Sequence, residues 1–119
     1  MGVVANVLVG VVALEHVWFA VLEMLLWQKP LGLKTFGSTP ERARETATLA
    51  ANQGLYNLFL VAGLVWGLAG GSVDVKTFFL ACVIVAGVFG GATVNRRIAF
   101  VQAIPAALAL AAVLAAARG

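Results

Sequence analysis

Residues 13–27 read ALEHVWFAVLEMLLW, and this stretch decides which solvent the chain folds in. Most of its side chains are apolar enough to lie in a lipid bilayer, yet it also contains Glu15, His16 and Glu23. An ionisable side chain inside a membrane is costly unless it is paired or hydrated. The three groups therefore indicate a site within a membrane-spanning helix.

The composition of the whole chain favours lipid as its solvent. Of its 119 residues, 62% are hydrophobic and 11% are charged. About a quarter of the residues of a soluble domain are charged, so this chain has too few charges to cover a surface in water. The length corresponds to a single membrane domain, residues 1–119.

Four segments contain the roughly 20 mostly apolar residues that a membrane-spanning helix needs. We expect helices at about residues 3–27, 40–68, 77–94 and 98–117. Pro30 and Gly32 are expected to end the first helix, and Ser38 or Thr39 to cap the second. Because the later connections are short, consecutive helices should be antiparallel neighbours. The expected fold is all-α, a four-helix transmembrane bundle.

Basic residues are concentrated in the connections after the first and third helices. These two connections hold six of them, and the other side of the membrane holds two: Lys29, Lys34, Arg42, Arg44, Arg96 and Arg97 against Lys76 and Arg118. The positive-inside rule then places both connections in the cytoplasm and both termini outside, in a multi-pass membrane protein. The net charge of +3 has the same origin. No nucleic-acid partner is expected, because no basic stripe with interleaved aromatic residues is present.

Small residues recur at a spacing that lets helix backbones approach closely in lipid. Gly63 and Gly67 form one such pair, and Gly87 and Gly91 form another. Sequence alone leaves open whether these glycines pack within one chain or between chains. A bundle of thin, alanine-rich helices has little interior of its own, which favours a homo-oligomer.

Polar side chains in the other spans complete a candidate site. Under the expected orientation, polar groups of the second and fourth helices reach the level of Glu23, and Glu15 and His16 lie deeper. Pro105 removes a backbone donor and frees the carbonyl near Val101, which then needs a partner or lines a cavity. The candidate ligand and proton site comprises Glu15, His16, Glu23, Asn52, Gln53, Tyr56, Asn57 and Gln102.

Three functions of different class fit this pattern. The first is a polar intramembrane pocket open to the cytoplasm that binds a small or lipophilic ligand; as an enzyme, it would use His16 and a carboxylate for proton transfer. The second is a proton-coupled transporter or channel subunit, and the third is a structural or assembly subunit held together by interhelical amides. No metal site or cofactor is expected, because a lone histidine lacks the further ligands that zinc needs. Haem bound by His16 is the less favoured alternative.

Several blocks of the chain, in order, carry a resemblance to a known family. They are ALEHVWFAVLEMLLW, KTFG, LAANQGLYNLFLVAGLVWG, FFLACVIVAGVFGGATVNRR and FVQAIPAALAL. Together they resemble the small bacterial integral-membrane family catalogued as Domain of Unknown Function 1304. The resemblance implies a four-helix protein of the bacterial inner membrane and implies no activity.

A weaker similarity connects the chain with the trimeric membrane-associated eicosanoid and glutathione metabolism proteins. These proteins have four helices, a long basic first loop, and Arg, Asn and Glu along the second helix. Asn57 can match their Asn, whereas the Arg and Glu positions are not matched in Asn52-Gln53-Gly54-Leu55-Tyr56-Asn57. The similarity therefore implies the architecture and a trimer, and not glutathione binding.

Overall fold

A computed structural model describes residues 2–118, and this part of the chain is helical without strands. Its last helix, Arg96–Arg118, is continuous over 23 residues and consists of three elements of different type. Four helices of the described chain are long and apolar enough to cross a membrane, as expected. The elements are α1 (Gly2–Met24), α2 (Pro30–Phe36), α3 (Pro40–Gly70), α4 (Val73–Thr93), α5 (Arg96–Ile98), a π-helical stretch (Ala99–Ala103) and α6 (Ile104–Arg118).

The connection after α1 contains a helix that the sequence did not predict. α1 ends at Met24, three residues earlier than expected, and Pro30 begins α2 instead of only ending α1. Proline lacks a backbone N–H, and the first position of a helix does not need one. Gly32 allows the close approach, because a Cβ at this position would lie 1.9 Å from the carbonyl oxygen of Leu26.

Side-chain caps set the starts of α3 and α4. Thr39 Oγ1 accepts a hydrogen bond from the backbone N–H of Arg42 at 3.2 Å, as expected of one of the two candidate caps. Ser72 Oγ accepts one from Val75 N at 3.1 Å. This cap begins α4 at Val73, one turn before the position that hydropathy alone suggested, so Lys76 lies inside the helix.

The chain divides into two compact units. One contains the residues up to Leu14 and from Ala62 onward, and the other contains Glu15–Val61. In the first unit, glycines of α4 pack directly on the helix that follows: a Cβ on Gly87 would lie 2.7 Å from Ala103 N, and one on Gly91 would lie 2.5 Å from Ala99 Cβ. The question left open by the sequence is thus answered for these two glycines, which pack within the chain.

The π-helical stretch lies just before Pro105. The backbone N–H of Ile104 donates to the carbonyl oxygen of Ala99, five residues back. This wider turn accommodates one extra residue before the proline, which has no N–H of its own to donate. The break that Pro105 introduces is therefore accompanied by a change of helix type in the turn before it.

Candidate intramembrane polar site

The Glu15–Val61 unit joins α1 and α3 through a carboxylate–amide hydrogen bond. Asn57 Nδ2 donates to Glu23 Oε1 at 2.5 Å, and Asn57 is only 5% exposed. The two helices approach closely beside this pair, because Gly54 faces Ala20 and Met24; a Cβ on Gly54 would lie 2.4 Å from Met24 Cγ. The glycine thereby lets the short asparagine side chain reach the carboxylate.

A polar groove opens beside Glu23, at the end of α1. Its volume is about 360 Å³. The indole N–H of Trp27 donates to Thr46 Oγ1 at 3.1 Å, which joins the wall of the groove to α3. We call this feature the Glu23 groove; it is lined by Glu23, Met24, Leu25, Trp27, Gln28, Lys29 and Ala47.

Glu15 and His16 lie about two turns before Glu23 in α1. His16 is fully buried, and its ring meets that of Phe19 edge-on with centroids 5.1 Å apart. The Nδ1 atom of His16 lies 4.0 Å from Glu15 Oε1, a separation too long for a direct hydrogen bond. Glu15 Oε1 is buried and has no hydrogen-bond partner among the described residues. His16 and Glu23 share one face of α1, about 10 Å apart along its axis.

The other four candidate residues take no part in the Glu23–Asn57 hydrogen bond or the Glu15–His16 contact. Asn52, Gln53 and Tyr56 are exposed on α3, and the Tyr56 ring contacts Phe59 with centroids 5.7 Å apart. Gln102 is half-buried in the π-helical stretch and belongs to the other unit. Of the eight candidates, Glu23 and Asn57 form a hydrogen bond, and Glu15 and His16 are neighbours.

Comparison with known proteins places the chain in a family. The family described as "Protein of unknown function (DUF1304)" matches residues 10–114. The chain belongs to this family. Comparison with curated proteins finds no match, and comparison with solved structures finds none. The matched residues of this DUF1304 protein include all eight candidate positions.

One polar pair of the DUF1304 chain was not predicted. Lys76 Nζ donates to Asn6 Oδ1 at 2.9 Å, and Lys76 is 7% exposed. From the sequence, Lys76 was expected in a connection, and Asn6 lies in an apolar run. The Ser72 cap would have placed Lys76 inside α4, but it would not have indicated Asn6 as its partner.

Within residues 2–118, no group of three or more His, Cys, Asp and Glu side chains gathers in a way that could hold a metal ion. His16 and Glu15 therefore have no third ligand of these types beside them.

Proposed function

We propose that this DUF1304 protein is a membrane protein that binds a small or lipophilic ligand in a polar site opening through the Glu23 groove to the cytoplasm. The observation that carries the proposal is the hydrogen bond between Glu23 and Asn57 at the edge of an open groove. A carboxylate near the end of a membrane span needs a partner, and here the partner satisfies only one of its oxygens.

The groove has the mixed lining that ligand sites usually have. Apolar side chains form part of the wall, and a few polar groups stand among them. Hydrogen bonding to Asn57 fixes the orientation of the Glu23 carboxylate, so its second oxygen is presented in a defined direction. A ligand that brings a donor would find an acceptor already positioned, which lowers the entropy lost on binding.

Co-purification tests this proposal. The protein is extracted together with its surrounding lipid, and the retained molecules are identified by mass spectrometry. We expect a bound molecule that is enriched over the bulk lipid extract and is lost in Glu23→Gln. Glu45→Gln, which alters an exposed carboxylate on α3, is the matched control and should retain it. Equal recovery from both variants would contradict the proposal.

A second function is favoured by a separate observation, the buried Glu15 Oε1 that lacks a hydrogen-bond partner beside His16. A bound water or a proton taken up by Glu15 would satisfy this oxygen. Chains of Glu and His within membranes are typical of proton relays. This arrangement supports proton-coupled transport.

Flux measurements separate the two functions. Proteoliposomes carrying the protein are placed in a pH gradient, and proton entry is followed with an internal dye. Proton-coupled transport predicts a flux that disappears in Glu15→Gln and persists in Asp74→Asn, a change at an exposed carboxylate of α4. A wild-type flux no greater than that of empty liposomes would leave ligand binding as the proposed function.

A further inference from the structure

Two opposite charges line the Glu23 groove without pairing with each other. Glu23 and Lys29 both contribute to its wall. Among the described residues, no Lys or Arg nitrogen lies within 4.0 Å of a carboxylate oxygen, so neither Glu23 nor Lys29 has a charged partner. Asn57 donates to Oε1 of Glu23, and within residues 2–118 no donor is found for its Oε2.

The apolar part of the groove favours an occupant that comes from the lipid bilayer. Met24, Leu25 and Ala47 lie in the same wall as the charges, and the groove follows the last turn of a membrane-spanning helix. Leu31 on the neighbouring α2 is 48% exposed. A water-soluble ligand would gain nothing from these side chains, whereas a lipid would place its glycerol and upper acyl groups against them.

We propose that the Glu23 groove binds the headgroup of a glycerophospholipid that carries a primary ammonium group. This inference rests on the proposed function and names its ligand class. The ammonium group donates to the Glu23 carboxylate, and the lipid phosphate lies against the ammonium group of Lys29. Both are charge-assisted contacts, which are stronger than neutral hydrogen bonds. The indole of Trp27 and the amide of Gln28 complete the polar rim.

Both charges are needed to explain this choice. An anionic phospholipid without an ammonium group would bring its phosphate toward Glu23, and the like charges would repel each other. A lipid with a quaternary ammonium group carries the positive charge but has no N–H to donate to the carboxylate. A primary ammonium beside a phosphodiester satisfies the second oxygen of Glu23 and the charge of Lys29 together.

Lipid titration of the purified wild-type protein tests the inference without any substitution. Short-chain phosphatidylethanolamine, its N-acetylated derivative and soluble phosphoethanolamine are compared by native mass spectrometry. N-acetylation removes the positive charge and leaves the phosphate and acyl chains in place. We expect phosphatidylethanolamine to bind at least about tenfold more tightly than either of the other two, as one additional charge-assisted contact would give.

Variants then assign the two charges. Glu23→Gln should abolish the preference for the free ammonium group. Lys29→Gln should weaken both phospholipids by about tenfold and keep their ratio. Lys34→Gln alters an exposed lysine of α2 outside the groove and is the matched control. Unchanged elution on size exclusion verifies that each variant is folded.

Three outcomes overturn the inference. If the wild-type protein binds the N-acetylated lipid as tightly as its parent, the ammonium group is not recognised. If phosphoethanolamine binds as tightly as the lipid, the ligand is a soluble zwitterion. If no phospholipid binds while another molecule co-purifies in a Glu23-dependent manner, the ligand class is wrong and the proposed function still stands.

Discussion

At the scale of single residues, the surroundings of an amide decide its role more than its identity does. Asn52 and Asn57 lie on the same helix, five residues apart. Asn57 is buried and holds a carboxylate, whereas Asn52 is exposed. A buried carboxylate that loses its hydrogen-bond donor is left desolvated without compensation, which costs free energy. When an exposed amide is removed, water can take over its hydrogen bonds.

The two asparagines provide a matched pair of substitutions. We expect Asn57→Ala to lower the free energy of unfolding by about 1–3 kcal/mol, because Glu23 Oε1 loses its donor. Asn52→Ala should change it by less than about 0.5 kcal/mol. Unfolding followed by circular dichroism in detergent measures both. Equal losses in the two variants would show that the Glu23–Asn57 hydrogen bond adds no stability of its own.

At the scale of helices, close backbone contact replaces the large side chains of a soluble core. Gly87 meets Ala103 and Gly91 meets Ala99, so α4 lies almost directly against the helix that follows. Small residues of this kind let helices pack closely in lipid. Burying large apolar side chains between helices gains little free energy there, because the lipid is as apolar as they are. A single methyl group added at such a position should therefore lower the stability of the protein.

Gly87→Ala should destabilise the protein by about 1–3 kcal/mol, the usual cost of overpacking. The added Cβ would lie 2.7 Å from a backbone nitrogen, which cannot rotate away as a side chain would. Gly10→Ala is the control, because a Cβ at that helical position meets nothing within 4 Å. It should be neutral or stabilising by up to about 1 kcal/mol. Thermal unfolding of the two variants measures the contrast, and a loss in Gly10→Ala as large as that in Gly87→Ala would contradict it.

The π-helical stretch behaves as a helix with one residue too many. Deleting Phe100, which is 63% exposed, should convert the stretch to an ordinary α-helix and keep the packing of α6. Deleting Val85, which is 67% exposed in regular α4, should rotate every later residue of that helix by about 100° and unfold the protein. Expression and thermal unfolding of the two deletions compare them. A Phe100 deletion as damaging as that of Val85 would contradict this interpretation.

At the scale of the whole molecule, the distribution of basic residues predicts how the chain is inserted. The connection between α1 and α3 holds α2 and two basic residues, and the first turns of α3 add Arg42 and Arg44, whereas the turn between α3 and α4 holds none. Because orientation follows the excess of Lys and Arg, the α2 side should be cytoplasmic. The Glu23 groove would then open to the cytoplasm, since it lies at the α2 end of α1.

Labelling with a membrane-impermeant maleimide tests this orientation in a Cys82→Ser background. Thr35→Cys on α2 and Asp74→Cys on α4 introduce thiols at exposed positions. We expect intact right-side-out cells to label at position 74 and not at position 35, and permeabilised cells to label at both. The reverse pattern in intact cells would invert the proposed topology.

Hydropathy and capping patterns predicted most of the fold, because both are local. Four apolar runs indicated four spans, and Thr39 was one of the two expected caps of α3. α2 was missed because Pro30 and Gly32 resemble helix-breaking residues, although proline is favoured at the first position of a helix. The π-helical stretch was missed because nothing local distinguishes an extra residue from a regular turn.

The sequence indicated which candidate residues share a level along their helices, but not the direction in which each of them faces. Residue spacing placed Glu23 and Asn57 at a common level, and they do form a hydrogen bond. The same spacing joined Asn52 and Tyr56 to one polar face but did not reveal that this face is exposed. The Asn6–Lys76 pair joins positions 70 residues apart, a separation on which local periodicity carries no information.

The indole of Trp27, in the wall of the Glu23 groove, is an intrinsic fluorescent reporter of binding. Its N–H is held by Thr46 at 3.1 Å, and its ring packs against Phe36 at 4.9 Å, so its dipole has a fixed environment. Trp18 and Trp66 are both exposed and can be changed to Phe, which leaves Trp27 as the single tryptophan. Filling the groove displaces water from that ring, so the emission maximum should shift to the blue as occupancy rises. Binding to the purified protein can then be followed in real time in reconstituted bilayers, without a dye or a radiolabel.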